Sequence, residues 1–257
     1  MYYNPMAPTR TLVHGWLETA KVIQKTDGFH LGGVFVHIED PLRMARDELA
    51  VVRHVDAFLR AHNQYPVSTV ANTIFPASLD QGDGVDAFTE RYLQVFERSM
   101  KSGWGRYFER LVRWPDPKGG PPINQLAVII DMLKGARTGT FHTDKYELVV
   151  SDPARRIRNV RDRPCLSLIE LKPEKPNRLH MLATYRNHYY VQKTLGNMLG
   201  LASLQEFIAR EAGFEAGTLT ISSTNATLET SAGLWGKNDV RTLIDQCDKL
   251  LLKQLAA

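Results

Sequence analysis

Two apolar runs, Pro164-Cys-Leu-Ser-Leu-Ile-Glu-Leu171 and Leu179-His-Met-Leu-Ala-Thr-Tyr-Arg-Asn187, indicate how the second half of this chain folds. Each run has the length and apolar character of a buried strand, and a short proline-containing segment separates the two. The runs therefore predict neighbouring strands that place Cys165, at the start of the first, near Arg186, at the end of the second. Asn197 follows near the start of a helix predicted over 194–212, with Gly213 as its cap.

Apolar spacing elsewhere predicts helices and strands within one domain spanning 1–257. Helices are predicted over 10–24, 47–62, 87–100, 123–134 and 243–251, and strands over 31–38, 147–151, 166–171, 179–185 and 218–223. The stretch 115–122 is expected to be irregular because four prolines and two glycines interrupt both kinds of hydrogen-bond ladder. Strands that pair through short turns among helices favour an α+β fold with three layers, in which helix 194–212 packs against the sheet.

Composition favours a cytoplasmic protein that binds a small anionic molecule. The 257 residues carry a net charge of +4 and a pI near 9.0, which is a mild excess, and nucleic acid is not an expected partner. The two cysteines, Cys165 and Cys247, suggest no disulfide framework and a reducing compartment, with Cys247 on the polar side of the last helix. Neither a signal peptide nor a membrane span is expected, and no metal site is predicted.

The thiol, the cation and the amide form a set that can hold an electrophilic ring bearing a phosphate. A cysteine is nucleophilic as its thiolate, and a neighbouring cation such as Arg186 is expected to lower the thiol pKa. The planar guanidinium also matches phosphate oxygens. The amide of Asn197 offers an acceptor and two donors, enough for the N3/O4 edge of uracil or, turned over, of cytosine.

This arrangement resembles the thymidylate synthase family over about 105–229. The landmarks in register are Tyr107-Phe-Glu-Arg-Leu-Val-Arg-Trp114, the loop 115–122, Pro164-Cys165, Tyr185-Arg-Asn187 with Asn197, and Gly213-Phe-Glu-Ala-Gly217. The resemblance implies a mixed, largely antiparallel sheet and a homodimer formed through sheet faces. It also implies Cys165 as the nucleophile, Arg186 as the phosphate ligand and Asn197 as the reader of the pyrimidine, with Asn187 beside them and Trp114 near a folate.

Several positions depart from the family's pattern. Lys145 stands where an Arg pair would reach the phosphate in the neighbouring subunit, and Arg155 and Arg156 are possible substitutes. Tyr189 replaces the folate-binding Asp, and His188 beside it is a candidate general base. The sugar-binding motif is replaced by a segment whose substrate-binding candidates are Asn225, Thr227 and Glu229. Since only 28 residues follow Glu229, the family's C-terminal segment over the cofactor is expected to be missing.

These features predict transfer of a one-carbon unit to C5 of a pyrimidine nucleotide through a Cys165 adduct at C6. Hydroxymethylation is favoured over reductive methylation, and 5,10-methylenetetrahydrofolate is the possible donor. A carboxylate at Glu229 suits a cis-diol, which favours a ribonucleotide or modified nucleotide over dUMP. The alternative is a protein that has lost this chemistry, and that binds a nucleotide as a sensor or scaffold or modifies a related ring.

Each candidate residue also has a purely structural interpretation. Cys165 could be an inert core residue, Asn197 a helix cap, and Arg186 the partner of an acidic neighbour. His188 could have a structural role beside two tyrosines. The arginines of 155–163 are typical of a solvated loop, and Glu229 is as compatible with a surface carboxylate as with a ligand contact.

Overall fold

A seven-stranded mixed sheet forms one side of the structure, a computed structural model that describes residues 2–99, 106–139, 142, 144–152 and 163–252. The strands are β1 (Asn4–Pro5), β2 (His30–Ile38), β3 (Glu147–Val149), β4 (Leu166–Glu174), β5 (Arg178–Tyr185), β6 (His188–Tyr189) and β7 (Glu215–Thr227). Their spatial order is β1-β2-β7-β5-β4-β3, and β6 pairs with β7.

Antiparallel pairing accounts for most of the paired residues in the sheet. The pairs β2–β7, β4–β5 and β3–β4 are antiparallel, whereas β1–β2, β5–β7 and β6–β7 are parallel. Leu166 of β4 lies opposite Tyr185 of β5, so the residues just outside these ends, Cys165 and Arg186, are neighbours. The predicted pairing of the two apolar runs is therefore confirmed.

Among the described residues, eight α-helices accompany the sheet: α1 (Leu12–Gln24), α2 (Arg46–Ala61), α3 (Val67–Ile74), α4 (Val85–Ser99), α5 (Tyr107–Val112), α6 (Gln125–Thr138), α7 (Thr194–Ala212) and α8 (Lys237–Leu252). Short 3₁₀ turns occupy Asp27–Phe29 and Ala77–Leu79. Helices α1 and α7 contact the sheet, α2 and α8 pack on α1, and α3 packs on α7. The fold is thus α+β, with helix 194–212 against the sheet as predicted.

The two faces of the sheet differ in burial because side chains alternate along each strand. Along β5 the residues Leu179, Met181, Ala183 and Tyr185 are buried, and the residues between them are only half-buried. The same alternation runs along β2 and β7. Helices cover the buried face, and the half-buried face remains partly open to solvent.

Two glycines allow α3 to approach α7 closely. A Cβ atom added at Gly196 would lie 2.6 Å from the Cβ of Val70, and one at Gly200 would lie 2.6 Å from the carbonyl oxygen of Ala71. Real Cβ atoms do not approach neighbours that closely, so α3 can sit here only because α7 has no side chain at these positions. This contact places α3 across from the first turns of α7, where Asn197 lies.

The last helix carries Cys247 in the core and not, as predicted, on its polar side. Helix α8 begins at Lys237, earlier than predicted, and it buries Cys247 completely in the core. Burial raises the pKa of the Cys247 thiol to about 12, so this side chain is an unreactive core residue. None of the helices within the described ranges is long and apolar enough to cross a bilayer.

Candidate functional site

Arg186 holds the segment that carries Cys165. Its backbone N–H donates to the carbonyl oxygen of Cys165 at 2.9 Å. Its Nε donates to the carbonyl oxygen of Pro164 and its Nη2 to that of Arg163, both at 3.0 Å. The guanidinium therefore fixes the backbone on the N-terminal side of the thiol, and these contacts are to carbonyl groups rather than to an acid. Its predicted contact with a phosphate stays a prediction.

A cavity of about 770 Å³ opens beside this segment. Its walls come from the chain before and within α3, the start of α5, the segment before β4, the segment around β6 and the start of α7. The lining residues are Tyr65, Thr69, Val70, Asn72, Thr73, Arg106, Tyr107, Arg163, Pro164, Cys165, Asn187, His188, Tyr189, Lys193 and Asn197. The volume suits a ligand of nucleotide size.

The charge of this wall has one sign. Three of the lining residues are cations, Arg106, Arg163 and Lys193, and none of the described residues that line the cavity is an acid. A concave site with an excess of one charge attracts ligands of the opposite sign. The cavity is therefore suited to an anion such as a phosphate ester.

Cys165 is the only cysteine in the cavity wall, and its side chain is half-buried. Burial raises the pKa of its thiol, while the nearby charges of Arg186 and Lys193 act to lower it. Arg186 acts to lower the thiol pKa, as predicted, but the effect of burial is larger, so the net pKa of Cys165 is raised. A bound phosphate would raise the thiol pKa further, because its negative charge repels the thiolate. Formation of the thiolate therefore depends on the cations around it.

Lys193 is a site residue that sequence reasoning missed. It directly precedes α7, lines the cavity, and places its Nζ 5.6 Å from the centroid of the Tyr65 ring. Burial lowers the pKa of this ammonium, whereas the nearby Glu229 and Cys165 act to raise it. A single Lys between a strand and a helix has no distinctive sequence pattern, and only the fold shows that it faces the thiol.

The carboxylate of Glu229 contacts the backbone before α7. Glu229 is buried, and its carboxylate accepts hydrogen bonds from the backbone N–H groups of Val191 at 3.1 Å and Gln192 at 2.7 Å. Burial raises the pKa of this carboxyl to about 7. Glu229 is thus neither a surface acid nor a described part of the cavity wall. Glu229 fixes the loop that leads to Lys193, and its predicted contact with a ribose diol stays a prediction.

His188, Asn197 and Ser223 form a buried row of polar groups. The Nδ2 of Asn197 lies 3.1 Å from Nε2 of His188, and the Nδ1 of His188 lies 3.0 Å from the Oγ of Ser223. The ring of Tyr185 stacks on the imidazole with centroids 3.9 Å apart. Burial lowers the pKa of His188 to about 3, so the ring is neutral near pH 7. A general base needs a pKa near the working pH, and this burial argues against that predicted role.

Tyr107 is a second residue at the site that was not predicted to act there. Its hydroxyl oxygen accepts a hydrogen bond from the backbone N–H of Cys165 at 3.2 Å, and its side chain lines the cavity. Burial raises the pKa of this phenol to about 12, which keeps it protonated and able to donate. The hydroxyl is therefore available as a donor next to the thiol.

The remaining predicted residues separate into two groups. Asn187 and Tyr189 line the cavity, and Asn225 reaches it indirectly because its Nδ2 donates to Oδ1 of Asn187. Thr227 lies in β7 opposite Tyr189 and outside the described wall. Trp114 and Lys145 are also not among the lining residues, and Arg155 and Arg156 lie outside the described residues. The sequence thus located the strands around the site, and the ligand contacts of these residues stay predictions.

Helix α3 and the segment before it contribute a wall that the sequence analysis did not assign. This wall consists of Tyr65, Thr69, Val70, Asn72 and Thr73. The helix has only eight residues, which gives too little apolar periodicity for a confident assignment. A pair of glycines at Gly196 and Gly200, four residues apart on a predicted helix, was the available sign of a closely packed partner.

The described residues contain no cluster of three or more His, Cys, Asp or Glu side chains arranged to hold a metal ion. For a folate, the wall offers the rings of Tyr65 and Tyr189, which are 67% and 42% exposed and could stack on a pterin. The donor set is less complete, since no described lining residue is a carboxylate that could pair with pterin N–H groups.

Two curated proteins are similar to part of this chain, and both are named "Putative thymidylate synthase". The one from Methanopyrus kandleri is 31% identical over 104 residues, which are 40% of this chain and 47% of that protein. The one from Methanosarcina mazei is 25% identical over 146 residues, which are 54% of this chain and 62% of that protein. This chain matches only about half the length of these curated relatives. No protein-family model matches the chain. The similarities support a thymidylate synthase-like relationship for part of the chain.

Proposed function

We propose that this protein binds a pyrimidine nucleotide in the described cavity and transfers a one-carbon unit to C5 of the ring through Cys165. The observation that carries the proposal is the cavity itself, which combines one thiol, one oriented amide and three cations without a described acid. The names of the two partial relatives agree with this class of reaction. The positive charge suits the phosphate, and the Asn197 amide suits the edge of the ring.

In the proposed reaction the Cys165 sulfur forms a bond to C6 of the ring. The electron pair of the C5–C6 double bond moves toward C5 and O4, and C5 then forms a bond to a carbon at the oxidation level of formaldehyde. Loss of the C5 proton would expel the donor nitrogen from the new carbon and leave an exocyclic double bond. Water would then add to that carbon, and departure of the sulfur from C6 as thiolate would restore the C5–C6 double bond. Lys193 and Arg186 supply positive charge next to the thiolate, and the phenol of Tyr107 supplies a donor beside it.

The product depends on whether the new carbon takes up water or a hydride. Hydroxymethylation keeps the oxidation level of that carbon and needs no reductant, whereas methylation needs a hydride. We propose hydroxymethylation because the cavity wall is polar, through Thr69, Asn72 and Thr73, and because Tyr65 and Tyr189 are exposed to water. A reduced folate is proposed as the donor, since such a cofactor supplies one-carbon units at this oxidation level.

The test of covalent catalysis is adduct formation with a 5-fluoropyrimidine nucleotide, measured by mass spectrometry of the intact protein. We expect an adduct with the wild type and none with Cys165→Ser, which should still bind the nucleotide. Cys247→Ala is the matched control and should form the adduct, since Cys247 lies in the core. Turnover that persists in Cys165→Ser would rule out the thiol mechanism.

A second function is a nucleotide-binding protein without this chemistry. The observation in its favour is that burial raises the pKa of Cys165, which makes the free thiol a weak nucleophile. A thermal-shift screen with UMP, dUMP, CMP and dCMP, each with and without 5,10-methylenetetrahydrofolate, separates the two. Nucleotide-dependent stabilisation without adduct or product would favour the binding protein.

A further inference from the structure

The Asn197 side chain contacts the buried imidazole of His188 at the wall of the cavity. The side chain begins in the first turn of α7, and its backbone N–H donates to the carbonyl oxygen of Lys193 at 2.8 Å. One amide hydrogen on Nδ2 points to Nε2 of His188. This leaves Oδ1 and the second amide hydrogen for a ligand in the cavity.

The imidazole of His188 determines which end of the amide faces it. A neutral imidazole carries one N–H and one bare nitrogen. The Nδ2 of Asn197 is the amide atom next to Nε2, so in a neutral ring Nε2 accepts, and this arrangement requires the proton on Nδ1, which then donates to the Oγ of Ser223. That tautomer gives one order of donors from Asn197 to Ser223, and nitrogen-15 shifts of the His188 ring test it.

Reversal of this row would require three coupled changes. The amide would have to turn over, the proton of His188 would have to move from Nδ1 to Nε2, and the hydroxyl of Ser223 would have to rotate. Burial lowers the pKa of His188 to about 3, which makes the imidazolium a poor intermediate for that proton transfer. The stacked Tyr185 ring, inclined by only 6°, also keeps the imidazole in its plane.

We propose that His188 and Ser223 are positioning residues that fix the donor–acceptor order of the Asn197 amide and thereby set which pyrimidine ring the cavity accepts. The inference rests on the proposed nucleotide ligand. Uracil presents a donor at N3 and an acceptor at position 4, and cytosine presents the reverse. An amide with fixed order satisfies one ring in a given pose and opposes two like groups in the other.

The test compares the dissociation constants of dUMP and dCMP by titration calorimetry in the wild type, His188→Phe and Ser223→Ala. A bidentate amide contact discriminates between bases by about tenfold or more. We expect the wild type to prefer one nucleotide by about tenfold or more, and both variants to reduce that preference to about threefold or less. His188→Phe keeps an aromatic ring against Tyr185 but removes both ring nitrogens.

Thr220→Ala is the matched control. Thr220 also lies in β7, and its hydroxyl bonds to the Nδ1 of His37 at 2.9 Å, but it lies on the half-buried face of the sheet away from the cavity. The Thr220→Ala variant should keep the wild-type preference between dUMP and dCMP. Nitrogen-15 shifts of the His188 ring should show the Nδ1–H tautomer in the wild type.

The outcomes separate this inference from the proposed function. Loss of preference in His188→Phe and Ser223→Ala, but not in Thr220→Ala, supports the inference. Nucleotide binding with an unchanged preference in the two variants, or an Nε2–H tautomer in the wild type, overturns it and leaves the proposed function standing. Binding of neither nucleotide overturns both.

Discussion

At the scale of single residues, His188 gives the site a measurable sensitivity to acid. Burial holds its pKa at about 3 in the folded state, well below the value of about 6.5 for an exposed imidazole. Between these values the unfolded chain binds the proton more tightly. Stability is therefore complete above about pH 6.5 and falls as the pH drops toward 3, by about 1.4 kcal/mol per unit.

The prediction is that wild-type protein loses about 2 kcal/mol of unfolding free energy from this group between pH 6.5 and 5. His188→Phe should lack this component, although it should be less stable at pH 7 because Asn197 and Ser223 lose their partner. Urea titrations at several pH values measure the difference. Tyr185→Phe is the control, since it keeps the stacked ring and should retain the wild-type slope. Parallel pH curves for wild type and His188→Phe would contradict the assignment.

Lys193 permits a second prediction at this scale. Its positive charge acts to lower the thiol pKa of Cys165 against the desolvation that raises it. Lys193→Met keeps the length of the chain and removes the charge, so the thiol pKa should rise further and the alkylation rate at pH 8 should fall. The measurement is the pH profile of iodoacetamide labelling, read on the Cys165 peptide.

Lys21→Met is the matched control for that experiment, because Lys21 pairs with Glu18 and Asp248 at a distance from the cavity. Its labelling profile should match the wild type. The reverse outcome, an unchanged profile in Lys193→Met, would mean that Arg186 alone supplies the electrostatic stabilisation of the thiolate.

At the scale of helices and strands, the close contact of α3 with α7 gives a prediction for stability. In Gly196→Ala the new methyl group would lie 2.6 Å from the Cβ of Val70 and 2.7 Å from the carbonyl oxygen of Val67. Helix α3 must move away, at a cost of about 1–3 kcal/mol, and its cavity wall moves with it. We expect a lower melting temperature and weaker nucleotide binding.

Gly135→Ala is the matched helix control. A methyl group at Gly135, in α6, meets no described atom within 4 Å. Replacing a helical glycine by alanine, where the added methyl group meets no described atom, stabilises by about 0.5–1 kcal/mol. The two Gly→Ala changes should thus have opposite signs in calorimetric unfolding. A neutral or stabilising Gly196→Ala would show that the helices are less closely packed than the structure indicates.

The elements differ in how far the sequence determines them. The long helix 194–212 was predictable because apolar periodicity and the cap at Gly213, with φ of 78°, agree. The pairing of β4 with β5 was predictable from two apolar runs. Helix α3 and the position of Lys193 were not predictable, because both depend on contacts between segments far apart in the sequence. The same reason explains Glu229, whose partners at Val191 and Gln192 are visible only in the fold.

At the scale of the whole molecule, the half-buried face of the sheet is the proposed surface for a second copy of the chain. The register aligns two rows across four strands on this face. One row runs through Phe35, Ser222, Thr184 and Leu168, and the other through His37, Thr220, Leu182 and Glu170. A sheet face that carries apolar and small polar side chains with one histidine and one acid is suited to self-association.

The prediction is that the wild type is a homodimer and that Leu182→Glu shifts it toward monomer. Leu182 lies within the face, so a carboxylate there would be buried in the interface, at a cost on the order of several kcal/mol. Sedimentation velocity over a range of concentrations measures the change. Val128→Glu is the control, because Val128 is an exposed apolar residue on α6, away from this face, and should leave the dimer intact.

The oligomeric state also bears on the site. If Lys145 or the arginines at 155 and 156 serve a neighbouring subunit, as the resemblance implies, then monomeric Leu182→Glu should bind a nucleotide more weakly than Val128→Glu although its own cavity is unchanged. Equal affinity in the monomeric variant would show that Arg106, Arg163 and Lys193 suffice for the anion. A wild type that stays monomeric at all concentrations would remove the shared phosphate contact altogether and leave each cavity to act alone.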